Sequence, residues 1–139
     1  MNRDRLKEIY TQYGLEKDDI FVLKFKGKEK PIITRSGVER IQKKLSIDVN
    51  YKVEKISEDQ KSCVIHAHGV ILENVGKEGE PPKKIPSKMC QSFGEVSPAN
   101  NTNPFPIAIC EKRALARVVL KMANLIGFYS EDESEDFKK

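Results

Sequence analysis

Cysteine is scarce in this 139-residue chain: Cys63, Cys90 and Cys110 make up the whole set, odd in number and widely separated, with no C-x-x-C pair. That pattern argues against a disulfide framework or a thiolate zinc site, and it suits a reducing interior. Long apolar runs are missing too. No stretch is long enough to span a bilayer, and the opening residues, MNRDRLKEIY, contain no signal-peptide core. The expectation is a soluble, cytoplasmic protein with no membrane partner. Neither a phosphate-cradling P-loop nor a G-x-S-x-G nucleophile elbow occurs.

Histidine is just as rare. His66 and His68 stand two apart on a strand-like run, so their side chains share a face and could hold a metal together. The sequence places no third ligand, and two polar histidines on a sheet face is the plainer reading. Glu78, Glu80, Lys83 and Lys84 superficially resemble an acidic–lysine nuclease pattern, but they fall in a Gly/Pro-rich stretch that suits solvated loop charge. The expectation is a protein that is not an enzyme, with no catalytic residue, metal or cofactor. A small metal-dependent enzyme built on His66 and His68 is the rival.

What the chain does have is charge, unevenly laid out. The formal net charge is +4, which fits contact with a polyanion without demanding one. Basic residues gather at Lys24, Lys26, Lys28 and Lys30, at Arg40, Lys43 and Lys44, and along 112–121. Acidic residues crowd into Glu131, Asp132, Glu133, Glu135 and Asp136.

Periodicity predicts an α+β chain with a single domain over 1–139. A helix over Arg3 to Tyr13 buries Leu6, Ile9, Tyr10 and Tyr13 and stops at Gly14. A strand over Ile20 to Phe25 is followed by a turn at Lys28 to Pro31. A second helix has Thr34 and Ser36 as cap oxygens, with Glu39 at capping-box spacing from Ser36. It points Val38, Ile41 and Leu45 inward. Three strand-like runs follow: Asp48 to Ile56, Ser62 to Leu72 and Ser87 to Val96. The second is apolar on both faces, as a central strand would be. Glu73 to Pro86 reads as a mobile hairpin loop, and Ser97 to Pro106 as an Asn/Pro loop. A helix over Phe105 to Leu125 closes the core, with Ala108, Leu115, Val118, Val119, Met122 and Leu125 toward the sheet. The organisation is an N-terminal helix–strand–helix element (1–47), an antiparallel β-β-β-α core (48–127) and an acidic tail (128–139) expected to be disordered.

The last helix carries the sharpest signal. Arg113, Arg117 and Lys121 recur every four residues and form one stripe, with Lys112 beside it. An ordinary solvated face is the plainer reading. Together with Lys24, Lys26, Arg40 and Lys43, however, the stripe suits a groove that tracks a phosphate backbone. Those eight residues are the candidate nucleic-acid contacts. Gly94 and the Asn100–Asn103 cluster add positions where a backbone can approach closely or adopt unusual dihedrals.

Over roughly Ser46 to Gly127 the chain resembles the phage single-strand annealing proteins of the RAD fifty-two / Erf / Red-beta type annealase superfamily and their eukaryotic counterpart, the RAD fifty-two type annealase. The likeness rests on the β-β-β-α order, the strand ending SFGEVSP, the polar insertion and the helix EKRALARVVLKMANLIGF. Lys112-Arg113-Ala114-Leu115 looks like the family's K-R-A-L segment. Aligned from Gly127 instead, Leu120 and Lys121 fall near those positions, so the basic residue that matters is Arg113, Arg117 or Lys121. The chain departs from the family in being short and in lacking aromatics on the third strand beyond Phe93. The resemblance implies an ATP-independent protein of homologous recombination and DNA repair, phage-encoded and working in host cytoplasm. It would bind single-stranded DNA, assemble as a homo-oligomeric ring or filament, and work with a phage exonuclease or a host single-strand-binding protein. A single-strand-binding accessory protein without annealing activity is the alternative.

Overall fold

The computed structural model describes residues 3–125 and 127–133. The fold is α+β, and its elements run α1 (Arg3–Tyr13), β1 (Ile20–Phe25), β2 (Lys28–Ile33), α2 (Arg35–Leu45), β3 (Ile47–Ile56), β4 (Cys63–Val75), β5 (Lys83–Val96), α3 (Pro106–Met122) and β6 (Tyr129–Ser130). Two three-stranded sheets result, β1-β2-β6 and β3-β4-β5. Among the described residues, no helix is long and apolar enough to cross a membrane.

The N-terminal unit is a helix–hairpin–helix rather than a helix–strand–helix. Lys28 to Pro31, expected as a turn, belongs to strand β2, which pairs antiparallel with β1 from Phe25↔Lys28 to Ile20↔Ile33. The turn is Lys26-Gly27, both at positive φ (50° and 75°), the twist a two-residue hairpin favours. KEKP lacks apolar alternation, which hid the strand. Thr34, not Ser36, caps α2 by accepting from the Gly37 backbone N–H. Ser36 Oγ instead donates to buried Asp19 at 2.6 Å, and Glu39 pairs with Arg35 rather than closing a capping box.

The second sheet is the expected antiparallel meander with α3 laid across it. Strands β4 and β5 are longer than their apolar runs: Glu73–Val75 pairs with Lys83–Ile85, so the connecting loop shrinks to 76–82. One face of the sheet carries Cys63, Ile65, Ala67 and Gly69 from β4 with Gly94 and Val96 from β5, and α3 covers it. The helix lies so close that a Cβ on Gly94 would sit 2.2 Å from the Cys110 carbonyl oxygen. Cys110 is fully buried there, its Sγ 3.3 Å from the Gly94 carbonyl oxygen. Burial, with Cys63 alongside, pushes its thiol pKa up to about 12. Ala108, expected to face the sheet, is exposed, and Leu115 is only half-buried.

The opposite face of β4 is not covered. The run from Ser62 to Leu72, expected to be apolar on both faces, is central in its sheet, yet Val64, His66, His68 and Val70 stay partly open.

The acidic segment enters the fold. Tyr129–Ser130 pairs parallel with Ile32–Ile33 as β6, and Glu131 Oε1 accepts from the Arg35 backbone N–H at 2.6 Å. Glu135, Asp136 and the rest of the expected disordered tail lie outside the described residues.

Candidate nucleic-acid interface

The basic stripe of α3 faces the free edge of β5. Arg113 donates to the Glu95 carbonyl (3.0 Å), Arg117 to the Phe93 carbonyl (2.8 Å) and Lys121 to the Gln91 carbonyl (3.4 Å). The match is geometric. Four helical residues advance ~6 Å, close to the ~6.7 Å advanced by two residues of a strand. A stripe at i, i+4, i+8 therefore meets every second carbonyl of the strand beneath it. These contacts cover an edge whose unpaired backbone groups would otherwise template pairing with another chain.

Engagement falls along the stripe. Arg113 is 3% exposed. Besides the Glu95 carbonyl, it donates to Asn100 Oδ1, the Asn100 carbonyl and the Asp132 carbonyl. Asn100 Oδ1 also accepts from the Ser97 backbone N–H, so Arg113 organises the Asn/Pro loop. Arg117 is half-buried and grips the Glu95 carboxylate through two nitrogens, at 2.6 and 2.9 Å, with Glu133 on its other side. Burial opposes its charge, but the two carboxylates outweigh that and hold its pKa above the usual range. Lys121 is exposed. Asp132, next to Arg113, has its carboxyl pKa raised by burial and by Glu131, against Lys112, Arg35 and Arg113.

The other predicted contacts are scattered. Arg40 ties α2 to buried Asp19 (3.0 Å) and to Glu16 (3.1 Å). Lys24 and Lys26 are exposed on the β1–β2 hairpin, with Lys26 Nζ 5.3 Å from the Phe25 ring centre. Lys43 lines a hollow with Lys84, Glu39 and Asp48. Lys112 is half-buried beside Arg113.

A groove of about 480 Å³ runs between the C-terminal half of α3 and the segment 128–133. Leu120, Leu125, Phe128 and Tyr129 line it with Arg117, Lys121 and Glu133. The Arg5 guanidinium lies 5.8 Å from the centre of the Phe128 ring, and Lys30 Nζ 5.4 Å from that of Tyr129. Both rings are half-buried, Phe128 against the core, and cations beside aromatic rings are components that sites tracking a backbone and stacking bases use. Phe128, Tyr129 and Arg5 were not among the contacts expected from sequence. The signal available was the pair of aromatics just after Gly127.

His66 and His68 do share a strand face, and His66 Nε2 lies 2.8 Å from Gln91 Oε1. Among the described residues, no group of three or more His, Cys, Asp and Glu side chains converges to hold a metal. No protein-family model, curated protein or solved structure matches the chain.

Proposed function

We propose that this chain binds single-stranded nucleic acid and promotes annealing of complementary strands without ATP, acting as a homo-oligomer. The observation that carries the reading is the groove beside α3, lined by Phe128, Tyr129 and Lys121, with the Arg5 and Lys30 cations next to the two rings. A base stacks on any aromatic face regardless of sequence, and each neutralised phosphate releases counterion, so such a groove holds a single strand without reading it. Self-association is favoured at β3, whose outer edge has no partner strand among the described residues. The matching edge of β5 is occupied by the α3 cations, which directs assembly to β3.

The test is fluorescence anisotropy with a labelled single-stranded oligonucleotide, followed by annealing of two labelled complementary strands without nucleotide. Binding and accelerated annealing are expected. Lys30→Gln with Lys121→Gln should weaken binding and make the log–log salt dependence shallower by ~0.7 per lost contact. No binding at low salt overturns the reading. Binding without faster annealing leaves the accessory-protein alternative.

A further inference from the structure

The unassigned feature with the most chemistry is the bare face of the β3–β4–β5 sheet. Its side chains at 64, 66, 68 and 70 of β4 are half-open, and those at 89, 91 and 93 of β5 are exposed. Phe93 is 48% and Met89 60% exposed there, beside the half-open His66, His68, Val64 and Val70 of a central strand. Cross-strand register sets these side chains in rows. Lys52, His66 and Phe93 form one, and Asn50, His68 and Gln91 form the next. The His66 and Phe93 ring centres are 4.8 Å apart, tilted at 51°. Gln91 Oε1, at 2.8 Å from His66 Nε2, fixes the imidazole orientation.

We propose that this face is a base-stacking site for single-stranded nucleic acid, centred on Phe93 and His66. The proposal rests on the function proposed above and adds a second contact surface, on the side of the sheet away from the α3 groove. A sheet can hold single strands by stacking unpaired bases on aromatic and histidine rings and bonding their edges with side-chain amides. Phe93 and His66 are the rings, and Asn50, His68 and Gln91 the hydrogen-bonding groups. Lys55 stands at the β3 margin, where a phosphate backbone would cross, with the Lys52–Glu54 pair beside it. Of the acidic neighbours, Glu95 is held by Arg117 and Glu54 lies 3.8 Å from Lys52, while Asp48, opposite Val70 at one end of the face, is exposed. A second copy of the chain suits the face less well. Packing protein on it would bury two imidazoles, two amides and a lysine, and only the His66–Gln91 and Lys52–Glu54 contacts satisfy part of their polar atoms. A base offers both a π-face and an edge of donors and acceptors.

The experiment compares two labelled probes of equal length, oligodeoxythymidine and an abasic backbone, binding to the full chain and to Phe93→Ala with His66→Ala. Wild type should prefer the base-bearing probe. The double variant should lose about tenfold on that probe and little on the abasic one, with the salt dependence unchanged. In a separate Phe93→Trp variant, the introduced fluorophore (the chain has no tryptophan) should be quenched by oligodeoxythymidine and not by the abasic probe. That variant reports even if the double variant folds poorly. Equal wild-type affinity for the two probes, an unaffected double variant or an unquenched Trp overturns the site while leaving single-strand binding in place. Failure of wild type to bind either probe overturns the functional reading and this site with it. Self-association abolished by Phe93→Ala would assign the face to a second copy instead.

Discussion

The two faces of the β3–β4–β5 sheet come from the same strands, yet they have opposite fates. On the covered face the central positions are small: Ala67 and Gly69 on β4, Gly94 on β5. A helix can therefore lie almost on the backbone, with Val118 and Met122 filling the space over Gly69. On the bare face the same stretch carries His66, His68, Phe93 and Met89, whose bulk and polar atoms offer a helix no such seat. Hydrophobicity alone does not separate the two sides. Side-chain size does, because close packing demands complementary volume.

The largest expected effect tests that claim at one residue. In Gly94→Ala the new Cβ would meet the Cys110 carbonyl oxygen at 2.2 Å and the Ala114 nitrogen at 2.7 Å, both backbone atoms of α3. Neither can swing aside as a flexible side chain would, so the helix must shift along its whole contact with the sheet. Overpacking of this kind costs about 3 kcal/mol, and the drop should be plain in a urea or thermal melt. A loss below about 1 kcal/mol would mean the covered face is no tighter than the bare one, and the contrast would fail.

Between the faces lies the β5 edge, and the basic stripe should grade in effect along it. Arg113→Met removes four hydrogen bonds from a buried guanidinium and leaves the acceptors of Glu95, Asn100 and Asp132 without it. We expect about 2–3 kcal/mol of destabilisation. Arg117→Met should cost less, because that side chain is partly solvated, and Lys121→Met should be near neutral in stability. The urea midpoints of the three variants would settle the order. Equal small effects would return the stripe to the role of a solvated face.

The sequence made part of this legible. The β-β-β-α order, the α2 core face at Val38 and Ile41 and the close approach at Gly94 all follow from local pattern, and local pattern is what periodicity reports. The four-residue spacing of Arg113, Arg117 and Lys121 was legible as well, but not its object. Their partners, at Glu95, Phe93 and Gln91, are 18, 24 and 30 residues away. A clue was present: the stripe borders Cys110, Ala114 and Val118, small or apolar residues that mark a buried helix face. Strand β6 escaped because two residues show no period. Docking of Glu131 and Glu133 escaped because acidic composition reads as a solvated tail until Arg35 and Arg117 are placed beside it.

A comparably small effect is expected at Phe93, where the two faces can be compared within one residue. Its backbone carbonyl belongs to the edge network and accepts from Arg117 at 2.8 Å. Its ring belongs to the bare face, with His66 as its ring neighbour and 48% of the residue open to solvent. Substitution removes the ring and keeps the carbonyl. Phe93→Ala should therefore change stability by no more than about 0.5 kcal/mol, the range of surface substitutions, since the apolar area it uncovers is already half exposed. Thermal melts of wild type and variant at one protein concentration check this. A loss of more than about 2 kcal/mol would mean the ring is packed as a core side chain is. The bare face would then be a second core, and its rings would not be free to stack on a ligand.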